Sequence, residues 1–243
     1  MDKKLLNLQS QHWEDSFSSK PEMFGLEPSE VAKHAKETFE NQKVKTFFSR
    51  KKIDILELGA GLGRDTTYFA ANSNLIQVTA LDYSSEAIKK INKKKIDYYS
   101  DPTMSDGRSA ADKITTKVWD VRNGLPYKDK SFDGCFSHML YCMALTTSEI
   151  IKLNKEVYRV LKPGGINIFS VRHTGDGDYK KGKYHGEDLY ENDGFIVHFF
   201  SKEKIYQISK EFITEDIFEL HEGNFPRKLF VVTQRKKRTI EFL

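Results

Sequence analysis

Residues 53–66 read Ile-Asp-Ile-Leu-Glu-Leu-Gly-Ala-Gly-Leu-Gly-Arg-Asp-Thr. Ile53, Ile55, Leu56 and Leu58 form the short apolar run of a strand buried on both faces, and the run leads directly into three spaced glycines. Asp65, Thr66 and Thr67 are predicted to cap a helix that carries Tyr68, Phe69, Ala70 and Ala71. The unit is therefore strand, glycine turn, helix. Glycine reaches positive φ and carries no Cβ, so a nucleotide-like ligand can lie against the main chain and the open amides of the helix start. A dinucleotide fingerprint would place its third glycine at position 64, which is Arg64. Glu57, two residues before Gly59, suits a cationic group better than a pyrophosphate.

The stretch Glu-Leu-Gly-Ala-Gly-Leu-Gly (57–63) resembles the first motif of the class I S-adenosylmethionine-dependent methyltransferases. The resemblance implies that Glu57, Gly59, Ala60, Gly61 and Gly63 hold S-adenosyl-L-methionine. Further motifs follow in family order as far as residue 171. Leu75 to Asp82 reads as a second buried strand ending in an acid about 20 residues beyond the glycine turn, where a carboxylate takes both ribose hydroxyls. Asp82 fits that role, with Tyr83 near the adenine, and Ser84, Ser85 and Glu86 are available to cap the next helix. Val118 to Val121 is expected to be the third strand, in which the resemblance gives Asp120 the adenine amino group and packs Val121 on the base. Ser131 to His138 resembles the fourth strand and contributes Ser137 to the cofactor site. Glu156 to Gly165 resembles a helix ended by Pro-Gly-Gly ahead of the strand Ile166 to Val171. The implied fold is α/β: a three-layer αβα sandwich around a seven-stranded, mostly parallel sheet with the last strand antiparallel, plus an N-terminal helical cap.

The 243 residues are 38% hydrophobic and 30% charged, the composition of a soluble globular protein, with no apolar run near the ~20 residues of a membrane span. The polar start, without a signal-peptide core, and only two cysteines, Cys135 and Cys142, point to a reduced cytoplasmic protein with no metal site. One methyltransferase domain is expected over 1–243: a helical cap (1–50), a cofactor-binding core (51–171), a substrate lid (172–200) and a C-terminal helix with a strand pair (201–243). The net charge of +4 argues against nucleic acid. Two basic clusters, Lys89 to Lys95 and Arg235 to Arg238, read as solvated surface.

The cap, with Trp13, Phe17, Phe24, Val31, Phe39, Phe47 and Phe48 and with Pro21 and Pro28 as breakers, should form two or three helices. Pro21 to Ser29 resembles the opening segment of small-molecule methyltransferases related to the tellurite-resistance and thiopurine groups. That resemblance places Trp13, Phe17 and Phe24 at the cofactor mouth. Asp97 to Thr116 reads as a surface loop. Ligands of open parallel sheets bind outside the carboxyl ends of the strands. His138 therefore falls near the methyl-transfer point. The Asn/Asp-Pro-Pro-aromatic pattern of nucleobase and amide methylators is missing after it. Residues 172–200 hold five glycines and read as a mobile lid carrying Arg172, His173, Tyr179, Tyr184 and His185. Should the acceptor have to lose a proton, His138, His173 or His185 could take it, the first two being the catalytic candidates. Three alternatives stay open: a nicotinamide oxidoreductase, a non-catalytic S-adenosylmethionine-binding protein acting through a partner, and a methyltransferase acting on RNA or protein.

Overall fold

The computed structural model describes residues 3–20, 23–44, 52–100, 107–223 and 227–238. In chain order the elements are α1 (Lys3–Ser19), α2 (Glu30–Val44), β1 (Ile53–Leu58), α3 (Arg64–Ala71), β2 (Ile76–Asp82), α4 (Ser85–Ser100), α5 (Gly107–Asp112) and β3 (Ile114–Val118). They continue with β4 (Phe132–His138), α6 (Thr147–Val160), β5 (Leu161–Arg172), β6 (Lys183–Tyr184), β7 (Leu189–Asn192), β8 (Phe195–His198), α7 (Lys202–Ile208), β9 (Ile213–Glu222) and β10 (Arg227–Arg235). Seven strands form one sheet in the order β3-β2-β1-β4-β5-β10-β9, and every pairing is parallel except the two made by β10. This is the predicted α/β sandwich. The order reverses between β1 and β4, which opens a crevice at the carboxyl ends of these strands.

The β1 apolar run fills both faces, as its sequence requires. Ile53 and Ile55 join a core with Val31, Ala35 and Phe39 of α2 and with Phe69, Ile88 and Ile91. Leu56 and Leu58 join the opposite core with Val157 and Val160 of α6 and Ile205 of α7. The α2 helix lies so close to β4 that a Cβ at Gly134 would stand 2.6 Å from the Phe39 ring. Helix α6 begins in a capping box between Thr146 and Glu149.

Several expectations are corrected. The third strand is Ile114–Val118, and Asp120 caps a short 3-10 turn (Val121–Asn123) after it. Much of the expected Asp97–Thr116 loop is ordered structure, since α4 runs to Ser100 and α5 precedes β3; residues 101–106 lie outside the described residues. Pro-Gly-Gly does not precede β5 but forms a bulge within it, where the β4 partner jumps from Leu161 to Ile166. The cap holds two described helices, while Pro21, Phe47 and Phe48 fall outside the described residues.

The glycine-rich segment after β5 folds into a three-stranded antiparallel sheet of β6, β7 and β8 rather than an irregular lid. Its Gly186 and Gly194 take positive φ at the turns. Helix α1 bridges this small sheet and the main one. Gln9 exchanges hydrogen bonds with the Gly194 carbonyl (2.5 Å) and the Ile196 amide (3.1 Å). Glu14 accepts from Ser84 Oγ (2.8 Å) and from the Ser85 and Glu86 amides (2.8 and 3.2 Å) at the start of α4. The basic clusters are also less free than expected: Lys94, Lys95 and Lys236 donate to backbone carbonyls, and Arg235 pairs with Glu215.

Candidate active site

A cavity of about 760 Å³ opens at the carboxyl ends of the parallel strands, floored by the glycine turn. The turn bonds to itself and to β2. The amides of Gly59 and Ala60 donate to the Leu81 carbonyl (2.8 and 2.9 Å), and Gly63 donates to Ala60 (2.9 Å). Gly61 donates to Asp82 Oδ2 (2.8 Å). The amides of Gly59, Ala60, Gly61 and Gly63 are therefore engaged within the protein rather than open to a ligand. The glycines differ in use. A Cβ at Gly63 (φ 76°) would stand 2.6 Å from Ile91 Cγ1, so this glycine permits the close approach of α4. A Cβ at Gly61 (φ 52°) would meet only the Phe17 and Phe24 rings, at 3.8 to 3.9 Å across the cavity mouth.

Two acids flank the turn. Glu57 lies at the end of β1, only 3% exposed, and accepts a hydrogen bond from Thr66 Oγ1 at 2.5 Å. Burial, reinforced by the charge of Asp65, pushes its carboxyl up to about 8. Asp82 ends β2 and accepts from the Gly61 and Ser84 amides at 2.8 Å each. Burial raises it to about 6 against the pull of these amides. Both acids line the cavity, where a positive ligand would favour their charged forms. Tyr83 and Val121 lie beside them on the wall.

The residues expected to cap α3 do other work, because the helix starts from Gly63 with no side-chain cap. Thr66 serves Glu57, and Asp65 accepts both the amide and the hydroxyl of Ser29 (2.8 Å each). Arg64, at the third-glycine position of a dinucleotide fingerprint, donates to the Phe24 carbonyl at 2.8 Å. The two side chains fasten residues 24–29 over the turn, and this brings Trp13, Phe17 and Phe24 together at the mouth. The Trp13 ring lies 5.3 Å from Phe17 and 4.8 Å from Phe195 of β8.

The opposite wall is charged. His138, at the end of β4, contacts Glu222 Oε2 through Nε2 (3.2 Å) and Ser170 Oγ through Nδ1 (2.8 Å). Arg172 is held by Asp176 and Asp178, while Lys181, Arg227 and Lys228 extend the rim. Sequence reasoning overlooked Glu222. It ends β9, which runs parallel to β1, so the carboxyl-end rule applied to this strand could have found it.

Three site expectations are corrected. Ser137 is fully buried within β4, off the cavity wall, and its hydroxyl finds no partner among the described residues. His173 also lies off the wall, its ring stacked on Phe230 at 4.5 Å and its Nδ1 accepting from the Gly175 amide. Asp120 borders a small adjoining pocket, and Arg122 occupies both of its carboxylate oxygens. In the lid, Tyr179 bonds Asp188 and His185 bonds Glu191, so these two side chains are engaged within the small sheet. Among the described residues no cluster of His, Cys, Asp or Glu could hold a metal, and no helix is long and apolar enough to cross a membrane.

Residues 56–169 match the family model described as a methyltransferase domain. The fold is that of the class I S-adenosylmethionine-dependent methyltransferases, and the matched segment spans the strands from β1 to β5. It is 27% identical over 158 residues to 24-methylenesterol C-methyltransferase 2 of Arabidopsis thaliana, a match that covers 64% of this chain and 38% of that protein. Among solved structures it resembles the 1,6-didemethyltoxoflavin-N1-methyltransferase of Burkholderia thailandensis, solved with S-adenosylhomocysteine (TM-score 0.66, 18% identity, 96% of this chain and 89% of that one). An S-adenosylmethionine-dependent methyltransferase of Methanosarcina mazei shares the fold at a TM-score of 0.60 and 21% identity, covering 80% of this chain and 97% of that one. The cavity fits the cofactor of this class: buried acids for its cationic and hydroxyl groups, and space beyond for an acceptor.

Proposed function

We propose that this chain transfers the methyl group of S-adenosyl-L-methionine to a small-molecule acceptor. The observation that carries the reading is the pair of buried carboxyls, Glu57 and Asp82, on either side of the glycine turn. The cofactor supplies an activated methyl group, so the protein has little covalent chemistry to perform. Glu57 and Asp82 bind and orient, with Asp82 offering its remaining lone pairs to ribose hydroxyls. Gly59, Ala60, Gly61 and Gly63 leave the space, Tyr83 and Val121 border the adenine, and the rings of Trp13, Phe17 and Phe24 close the mouth against water. Aromatic faces also suit a nearby cation. Alignment of donor and acceptor at ~3 to 3.5 Å can supply about 7–11 kcal/mol of the barrier.

The plant relative is named for a sterol, and the Burkholderia structure for a polar heterocycle. The charged wall of His138, Glu222, Arg172, Arg227 and Lys228 supports a polar acceptor over a sterol. We read residues 1–243 as acting in one domain, since α1 ties the small sheet to the main one, and the two buried, unpaired cysteines support a cytoplasmic setting. The deciding experiment is calorimetric titration with S-adenosylmethionine, S-adenosylhomocysteine and NAD. Micromolar binding of the first two alone is expected. Binding of NAD, or of nothing, would overturn the reading.

A further inference from the structure

We infer that Glu222 receives the proton of the acceptor, and that the acceptor atom is therefore an N–H or O–H group rather than a thiolate or an inorganic anion. The inference rests on the methyl-transfer reading above and concerns the far wall of the same cavity. His138 is the obvious base by sequence, but its hydrogen bonds leave it no free lone pair. The Met139 amide donates to Ser170 Oγ (3.1 Å), and among the described residues the hydroxyl hydrogen of Ser170 has His138 Nδ1 as its one acceptor, at 2.8 Å. Nδ1 thus accepts, Nε2 carries the hydrogen, and Nε2 donates to Glu222 Oε2. The group left with open lone pairs toward the cavity is the carboxylate.

Every charged neighbour that faces Glu222 holds it ionised. Arg64 from α3, whose Nη2 lies 3.9 Å from Oε1, and Arg227 from β10 do so by their charge, and the Nε2–H of His138 adds its hydrogen bond; together they outweigh burial and keep the carboxyl below its ordinary value. An ionised carboxylate with a free lone pair on the acceptor wall accepts a hydrogen, and so orients a nucleophile that carries one. In the step, a bond forms from the acceptor nitrogen or oxygen to the methyl carbon as the methyl–sulfur bond breaks. The electron pair of the broken bond stays on sulfur, and the acceptor's proton passes to Glu222. His138 is the positioning residue, and Ser170 fixes its tautomer.

The test uses the full chain with S-adenosyl-[methyl-³H]methionine and three acceptor pools: primary amines, phenols and alcohols, and thiols. Label is expected in the amine or hydroxyl pool. Glu222→Gln should lower kcat by about tenfold or more while leaving the Kd for S-adenosylhomocysteine within about twofold, and Glu222→Asp should restore part of the rate. His138→Leu should move the acid limb of the pH–rate profile upward, because Glu222 loses its donor, whereas His138→Gln should keep the limb in place. Label in thiols, or full-speed turnover by Glu222→Gln, overturns the inference. Should no pool take label, titration of the S-adenosylhomocysteine complex with benzylamine and with benzoate decides. Benzylamine must bind and be lost in Glu222→Gln; no benzylamine binding, or binding indifferent to the substitution, overturns it. Failure to bind S-adenosylhomocysteine at all would instead strike the methyl-transfer reading.

Discussion

Substitution of Glu57 by Gln tests the electrostatics of the site in the absence of any acceptor. Burial holds the Glu57 carboxyl at about 8 against an ordinary value of 4.5. A raised value means that folding favours the protonated form, so the contribution of Glu57 to stability is complete below pH 4.5 and is lost as the pH rises through about 8. At 1.36 kcal/mol per tenfold, the wild-type protein gives up about 3–4 kcal/mol from this group between pH ~5 and ~8.5. The substituted amide would stay neutral throughout and can still accept the Thr66 hydroxyl. Asp82, raised to about 6, titrates in both proteins and cancels in the comparison. Urea unfolding followed by circular dichroism at the two pH values should show the variant gaining about 3–4 kcal/mol on the wild type at the higher pH. Calorimetry in buffers of different ionisation enthalpy should show the wild type releasing a proton near pH 7 as it binds S-adenosylmethionine, and the variant releasing none. Parallel stability profiles for the two proteins would refute the reasoning, because Glu57 would then be ionised in the free protein.

The glycine turn separates binding from packing. Gly61→Val should abolish S-adenosylhomocysteine binding by filling the mouth, whereas Gly63→Ala should cost about 1–3 kcal/mol of stability through its clash with Ile91; micromolar binding by the first variant would sink the assignment of the turn. Asp82→Ala should weaken cofactor binding by about 1.5–3 kcal/mol, and an unchanged calorimetric Kd would leave Asp82 only its bonds to Gly61 and Ser84. Asp65→Ala leaves the Ser29 amide and the Ser29 hydroxyl hydrogen without their acceptor, which should cost about 2–3 kcal/mol in denaturant melts and speed proteolytic cutting between residues 20 and 30.

The first two strands were legible because buried parallel strands are rich in apolar residues, as Ile53–Leu58 and Ile76–Asp82 are, whereas β4 and β5 were read from the motifs that they resemble. The misplaced third strand has a physical cause. As an edge strand, Ile114-Thr-Thr-Lys-Val118 is largely exposed and therefore polar, and the more apolar residues just after it drew the assignment. The glycines of residues 172–200 suggested mobility, yet Gly186 and Gly194 serve hairpin turns, and one sequence cannot distinguish a glycine that frees the chain from one that turns it. Glu57, Asp82 and His138 were found because each sits at the end of a recognisable strand on the cavity edge. Glu222 was not, because its place beside His138 follows from β10 turning the chain back, a pairing between residues 84 positions apart. Ser137 and His138 are adjacent in sequence, but successive strand side chains point to opposite faces, so only His138 meets the cavity.

Arg64 carries a consequence for any attempt to retarget this scaffold. Its replacement by glycine would complete the G-x-G-x-x-G spacing of a nicotinamide-cofactor enzyme, counted from Gly59 and Gly61. The same exchange would release the Phe24 carbonyl and one of the two ties that fasten the roof. The amides of Gly59, Ala60, Gly61 and Gly63 would remain engaged by Leu81, Asp82 and Ala60. A one-letter conversion toward a redox enzyme would therefore yield only a leakier form of the present site, and ligand identity in this architecture would have to be rewritten in the roof and the turn together.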